Sequence, residues 1–192
     1  MALATCLGVD LASSAARPSG YAVLDGRAGL LAVGLVATDD DVLSLASRWR
    51  ARLVALDAPL SWPFSPEAKG RQCEVQLARE GIGCFRTTRR TIIPNLVARG
   101  VRLSAALRRE GFPVIEVYPY GSKVRLFGRA IPKKTRPEGR AWLRQRLEGL
   151  IQGLADCGRP LGHDELDALV AAYTALVRDR ARRKRWETPS KG

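Results

Sequence analysis

The chain has 192 residues, 46% hydrophobic and 27% charged, the balance of a globular protein with its own core and not of a disordered one. No apolar run approaches the eighteen or so residues of a membrane span. The N-terminal stretch "MALATCLGVDLASS" lacks a basic n-region and soon reaches Asp10, unlike a signal peptide, so a cytoplasmic location without a membrane partner is expected. The formal charge of +13 comes mostly from arginine and suits a polyanionic partner, most simply nucleic acid. A GC-rich genome that favours Ala and Arg codons is the competing source of that charge. Cys6, Cys73, Cys84 and Cys157 form no CxxC pair, and His163 is the single histidine. This argues against a zinc site of the usual kind; a metal held here would have oxygen ligands, which favours Mg²⁺ or Mn²⁺.

In chain order, "ATCLGVD" reads as a buried first strand ending at Asp10, and "YAVLD" and "AGLLAVGLVA" follow as a meander across the turns at "RPSG" and "GR". "TDDDVLSLASRWRA" has helical spacing with Thr38 or Asp39 as its cap. "RLVALDAPL" is a fourth strand interrupted by Asp57 and stopped by Pro59. A helix between the third and fourth strands implies a crossover to a parallel position, so a mixed α/β sheet is expected. Residues 60–111 read as an insertion with helices at "RQCEVQLAREG" and "LVARGVRLSAALRREG", able to line a substrate groove. "FPVIEVYPYG" is a fifth strand carrying Glu116, and "SKVRLFGRAIPKKTRPEG" is a basic connector. "RAWLRQRLEGLIQGLADCG" reads as one amphipathic helix, with Leu143, Leu147, Leu150, Ile151 and Leu154 on a common face. The last helix starts at "GHDELDALVAAYTALV", and "RDRARRKRWETPSKG" after it reads as a solvated or loosely ordered tail. One domain over residues 1–180 is expected, with a basic tail at 181–192.

On the wheel of the last helix, Asp164 and Asp167 lie three apart on one face. That face continues through Ala168, Ala171, Thr174 and Ala175, small enough for close approach to another element. Glu165 points to the other side and reads as solvated. Acids at a helix start also serve the helix dipole, so two readings of the pair stand open. Asp10 and Asp57 lie late in apolar strands, where a carboxylate is costly unless paired, hydrogen-bonded or metal-bound; either can also simply end its strand through an Asx turn. If the first and fourth strands are neighbours, both carboxylates converge, and the helix pair completes a cluster of four that needs cations to stay ionised.

The order β-β-β-α-β resembles the RNase H-like fold, and "GHDELDALVAAY" resembles the C-terminal helix of RuvC-type Holliday-junction resolvases, with its D-x-x-D pair followed by alanines. The set "GVDLASS…PSGYAVLD", "ALDAPL", Arg71-Gln72-Cys73-Glu74, "VIEVYP" and "HDELDAL" resembles domain-of-unknown-function family 429, predicted RNase H-like nucleases, over roughly residues 5 to 178. The resemblance implies an RNase H-like fold: a mixed five-stranded sheet flanked by helices, in the order β-β-β-α-β-α-β-α, with an insertion between the fourth and fifth strands. It makes Asp10 the bridging acid, Asp57 the acid of the fourth strand and Asp164 with Asp167 the helix pair of a Mg²⁺ or Mn²⁺ site. Asp57 stands where the resolvases use glutamate. Glu116 is a candidate further ligand, a general base, or a strand residue paired with an arginine. Arg71 is a candidate phosphate contact or a salt-bridge partner of Glu74. Lys123 is a candidate substrate contact, and His163 either assists at the metal edge or protonates a leaving group, unless it merely neighbours the helix cap.

Two functions follow as expectations: a metal-dependent nuclease acting on DNA or RNA, or a non-catalytic nucleic-acid-binding module on the same fold. An actin-like phosphotransferase shares the strand order, but neither "VDLAS" nor "LDAPL" supplies its glycine-rich phosphate loop.

Overall fold

A computed structural model describes residues 4–14, 16–88 and 90–187. Its strands are β1 (Thr5–Asp10), β2 (Ser19–Asp25), β3 (Leu30–Val36), β4 (Ala51–Asp57) and β5 (Val114–Glu116), in the spatial order β3-β2-β1-β4-β5. β1 pairs antiparallel with β2 and parallel with β4, and β4 pairs parallel with β5. The expected crossover is therefore present, and β1 and β4 are neighbours. The helices are α1 (Asp39–Arg48), α2 (Gln72–Arg79), α3 (Pro94–Arg109), α4 (Pro119–Phe127), α5 (Pro137–Glu148) and α6 (His163–Glu187).

The sheet is covered on both faces, and side-chain alternation along β1 decides which residue goes where. Leu7 and Val9 pack with Val42 and Ala46 of α1 and with Leu103 and Leu107 of α3. Cys6 faces Ala171, Ala175 and Leu176 of α6, so Gly8 and Asp10 share that second face. α1 starts through a capping box: Asp41 N–H donates to Thr38 Oγ1 (3.1 Å), and Thr38 N–H donates back to the Asp41 carboxylate (2.9 Å).

α6 lies close against the sheet because its backbone meets two strand glycines, Gly8 at Ala168 and Ala172 and Gly20 at Asp164. A Cβ added at Gly8 would sit 2.2 Å from Ala172 N and 2.3 Å from Ala168 O, and one at Gly20 would sit 2.2 Å from Asp164 O. Strand and helix backbones are thus in direct contact, and the acids of α6 come down over the ends of β1 and β4.

Three local expectations need correction. α4 takes in the end of the stretch read as a fifth strand and the start of the basic connector, with Pro119 at its first turn, a favoured helix start. α5 ends at Glu148 instead of running on, since Gly149 follows and Gly153 takes φ +77°; Ile151 and Leu154 still reach the core from a turn. The expected insertion between β4 and β5 is present and carries α2 and α3, of which α3 packs in the layer under the sheet. α6 continues into the stretch read as a loose tail, and Asp179 there is buried between Arg52 (3.0 Å) and Arg183. Residues 188–192 lie outside the described residues. Among those described, no helix is long and apolar enough to cross a membrane.

Candidate metal centre

Asp10 and Asp57 are register partners at the C-terminal ends of adjacent parallel strands, so their side chains leave the same face of the sheet. α6 adds Asp167 from above. One oxygen from each of Asp10, Asp57 and Asp167 lies within 4.8 Å of the others. A second set, Asp10, His163 and Asp164, meets the same limit. Asp10 belongs to both sets. His163 Nδ1 lies 2.6 Å from Asp164 Oδ1, so the imidazole and this carboxylate are paired with each other.

The electrostatics fit that picture. Burial, then the charges of Asp57 and Asp167, push the Asp10 carboxyl up to about 9. Burial, then the charge of Asp167, pushes the Asp57 carboxyl up to about 7. Asp167, only 2% exposed, instead meets two ammonium groups. Lys123 Nζ donates to Oδ1 at 2.8 Å, and Lys134 Nζ donates to Oδ2. Burial opposes the charge on Lys134, but Asp167 outweighs it and holds the ammonium above its ordinary value.

A donor set of four carboxylates and one imidazole nitrogen is chemically suited to a hard divalent cation. One observation supports the fit: Asp10 and Asp57 lie buried beside Asp167, so that burial and the neighbouring carboxylates push both carboxyls up, a cost that a cation among them would relieve. A stability dependence follows. Both carboxyls are protonated more readily in the folded chain than in the unfolded one, so the folded state binds more protons above the ordinary carboxylate range. Metal-free protein is therefore expected to lose thermal stability as pH rises from about 4 through about 9, and Mg²⁺ or Mn²⁺ should reverse the loss at the alkaline end. Melting curves across this range, with and without the cation, check both signs.

The remaining sequence candidates are placed differently. Glu116 belongs to neither carboxylate set. It takes a fork from Arg71, with both guanidinium NH groups at 2.6 Å, and a hydrogen bond from Leu60 N–H at 2.9 Å. Arg71 Nε donates to Glu74 at 2.7 Å, and Glu74 also accepts from Thr87 N–H and Oγ1. Burial alone would raise the Glu74 carboxyl; the Thr87 and Arg71 hydrogen bonds hold it below the ordinary value. This brace ties α2 and the loop at Thr87 to the end of β5 and to the segment just after Asp57. Removing Arg71 leaves Glu74, 3% exposed, as an uncompensated buried charge. Arg71→Met is expected to cost about 3–5 kcal/mol, measurable as a lower urea midpoint. Glu165 is not solvated as the wheel suggested. It is buried, accepts from Gly162 N–H (2.9 Å) and pairs with Arg159, so it caps α6.

Sequence reasoning missed Lys134. It lies 33 residues from Asp167, on a loop that showed only as basic composition.

Acids at the ends of the two central parallel strands, faced by acids of a C-terminal helix across a 3-2-1-4-5 sheet, define an α/β protein of the RNase H-like fold. The chain belongs to the family described as Protein of unknown function (DUF429), whose model matches residues 8–189. A Thermus thermophilus RuvC structure is similar over 92% of this chain and 96% of that one, with a TM-score of 0.51 at 17% identity, a likeness of fold. Comparison with curated proteins gives no match.

Proposed function

We propose that this protein is a metal-dependent nuclease that hydrolyses phosphodiester bonds of nucleic acid at the Asp10 cluster. The observation that carries the proposal is the sharing of Asp10 by two ligand sets, one completed by Asp57 and Asp167, the other by His163 and Asp164. Divalent cations, Mg²⁺ or Mn²⁺, would supply charge neutralisation at the phosphate and acidification of a water there. The chain's own part is positional. β1 and β4 fix Asp10 and Asp57 in register. The contact of α6 with Gly8 and Gly20 sets the height of Asp164 and Asp167. Lys123, 5% exposed at its side chain, holds one oxygen of Asp167 and so orients the other. Lys134, more exposed at 39%, can swing from Asp167 towards a phosphate as charge builds on it. Arg71 and Glu116 act on the site through the brace that shapes the segment after Asp57.

The charge of +13 supports a polyanionic substrate, with long-range attraction that weakens as salt rises. The four cysteines are unpaired, in keeping with a reducing cytoplasmic setting. The test is direct: purified protein is incubated with single- and double-stranded DNA and RNA, with Mg²⁺, with Mn²⁺ or with chelator. Cleavage that requires the cation is the expected result. Salt-dependent binding without turnover under every condition would instead establish a non-catalytic binding module.

A further inference from the structure

Two loops flank α2: the first, residues 58–71, begins directly after Asp57, and the second, described at residues 80–88 and 90–93, leads on to α3. They are fastened to each other, since Arg86 Nη1 reaches Lys69 O (3.4 Å) and Thr87 bonds Glu74 beside Arg71. The second loop is also fastened to the site. Tyr118 Oη donates to Gly83 O at 2.9 Å, and the residue before Tyr118 is bonded to β4 through Val117 N–H to Leu56 O at 2.9 Å, one position from Asp57.

These loops carry an unusual surface. Among the described residues, the exposed aromatic side chains are Trp62 (45%), Phe64 (fully exposed), Phe85 (64%) and Tyr120 (41%). The first three stand on the two loops, and Tyr120 opens α4 just after Tyr118, its ring 6.0 Å from that of Tyr118. Folding gains nothing from leaving Phe64 and Phe85 in water, and neither packs on the core. The same loops carry exposed cationic side chains, Lys69 and Arg86. Aromatic faces interleaved with cations suit one kind of ligand particularly well. Unpaired nucleobases stack on the rings while the cations meet the backbone phosphates. In a duplex the base faces are covered by their neighbours, so such a surface discriminates against paired nucleotides.

We infer that the loops 58–71 and 80–88 form a stacking platform for unpaired nucleotides, so that the substrate class of this site is single-stranded nucleic acid or an unpaired segment of a larger one. This inference rests on the proposed nuclease reading for its choice of ligand, but its test does not use catalysis. Binding is measured by fluorescence anisotropy in chelator, where no cleavage occurs, with a labelled oligodeoxynucleotide of roughly 20 nucleotides, its RNA counterpart and the matching DNA duplex. The wild type should bind the single strands at least about tenfold more tightly than the duplex. The double variant Phe64→Ala/Phe85→Ala should lose most of that preference while the dependence of affinity on salt stays the same, because no phosphate contact is removed. Arg86→Ala should instead reduce the salt dependence. Both phenylalanines are exposed, so an unchanged melting temperature is expected and confirms that the variant is folded. Equal affinity for strand and duplex, or a double variant with undiminished preference, would overturn the inference. So would a self-associated protein that these substitutions dissociate without altering nucleic-acid binding. Cation-dependent cleavage of duplex by a protein without single-strand preference would refute the platform and leave the nuclease reading intact.

Discussion

Asp10→Asn is expected to remove cation-dependent cleavage, lowering the rate at least about a thousandfold, about 4 kcal/mol of barrier. Asp10 serves both ligand sets, so its loss weakens both cation positions at once; Asp57 and Asp164 each belong to only one. The same substitution should make the metal-free protein more stable. In the folded chain the Asp10 carboxyl is pushed up by burial and by the charges of Asp57 and Asp167, a repulsion that the amide does not feel. A gain of about 1 kcal/mol, a shift in melting temperature of roughly 2–4 °C at this chain length, is expected near neutral pH. Added Mn²⁺ should then stabilise the variant less than the wild type, because part of its binding site is gone. A residue kept only for the fold would show the opposite combination, with lower stability and lower activity together. Cleavage by Asp10→Asn at the wild-type rate would place the chemistry elsewhere.

Gly8→Ala is expected to destabilise the fold by at least about 3 kcal/mol, and Gly8→Val by more. The added carbon would lie 2.2 Å from Ala172 N and 2.8 Å from Ala172 Cα. Backbone cannot swing aside as a side chain can, so α6 must lift from β1. The lift would be felt at the site, because Asp164 and Asp167 ride on the same helix. A variant that still folds should therefore bind Mn²⁺ more weakly than wild type even though no ligand has been altered. Urea titration and calorimetry with Mn²⁺ measure the two effects. An unchanged urea midpoint for Gly8→Ala would show that the strand and helix are not in backbone contact.

The parts of this arrangement that the sequence disclosed are those set by local pattern and chain topology. A helix between the third and fourth strands implied a parallel crossover, and the crossover brings Asp10 beside Asp57. The alanine face of the last helix pointed to close approach, and the D-x-x-D spacing put two acids on that face. The glycines that receive the last helix, Gly8 against Ala168 and Ala172 and Gly20 against Asp164, were not distinguishable from glycines in turns until the neighbouring backbone was known. What stayed hidden depends on contacts between distant segments. Glu165 does lie off the face of Asp164 and Asp167, as the wheel indicates, but the wheel cannot show Arg159 folding back over it. Glu116 and Arg71 stand 45 residues apart, and no spacing rule joins them. α4 was obscured because it straddles the end of the fifth-strand stretch and the start of a basic connector, and its opening proline reads equally well as a strand terminator.

The central claim is that Asp10, Asp57, Asp164, Asp167 and His163 form a divalent-cation centre. Anomalous diffraction at the manganese edge from crystals soaked in Mn²⁺ tests it most directly. The predicted result is manganese density bounded by Asp10, Asp57 and Asp167, with Asp10 also reaching an ion held by Asp164 and His163, and with Lys134 displaced from Asp167. The contradicting result is a soaked crystal with no manganese among these side chains and Asp167 still held by Lys123 and Lys134 alone.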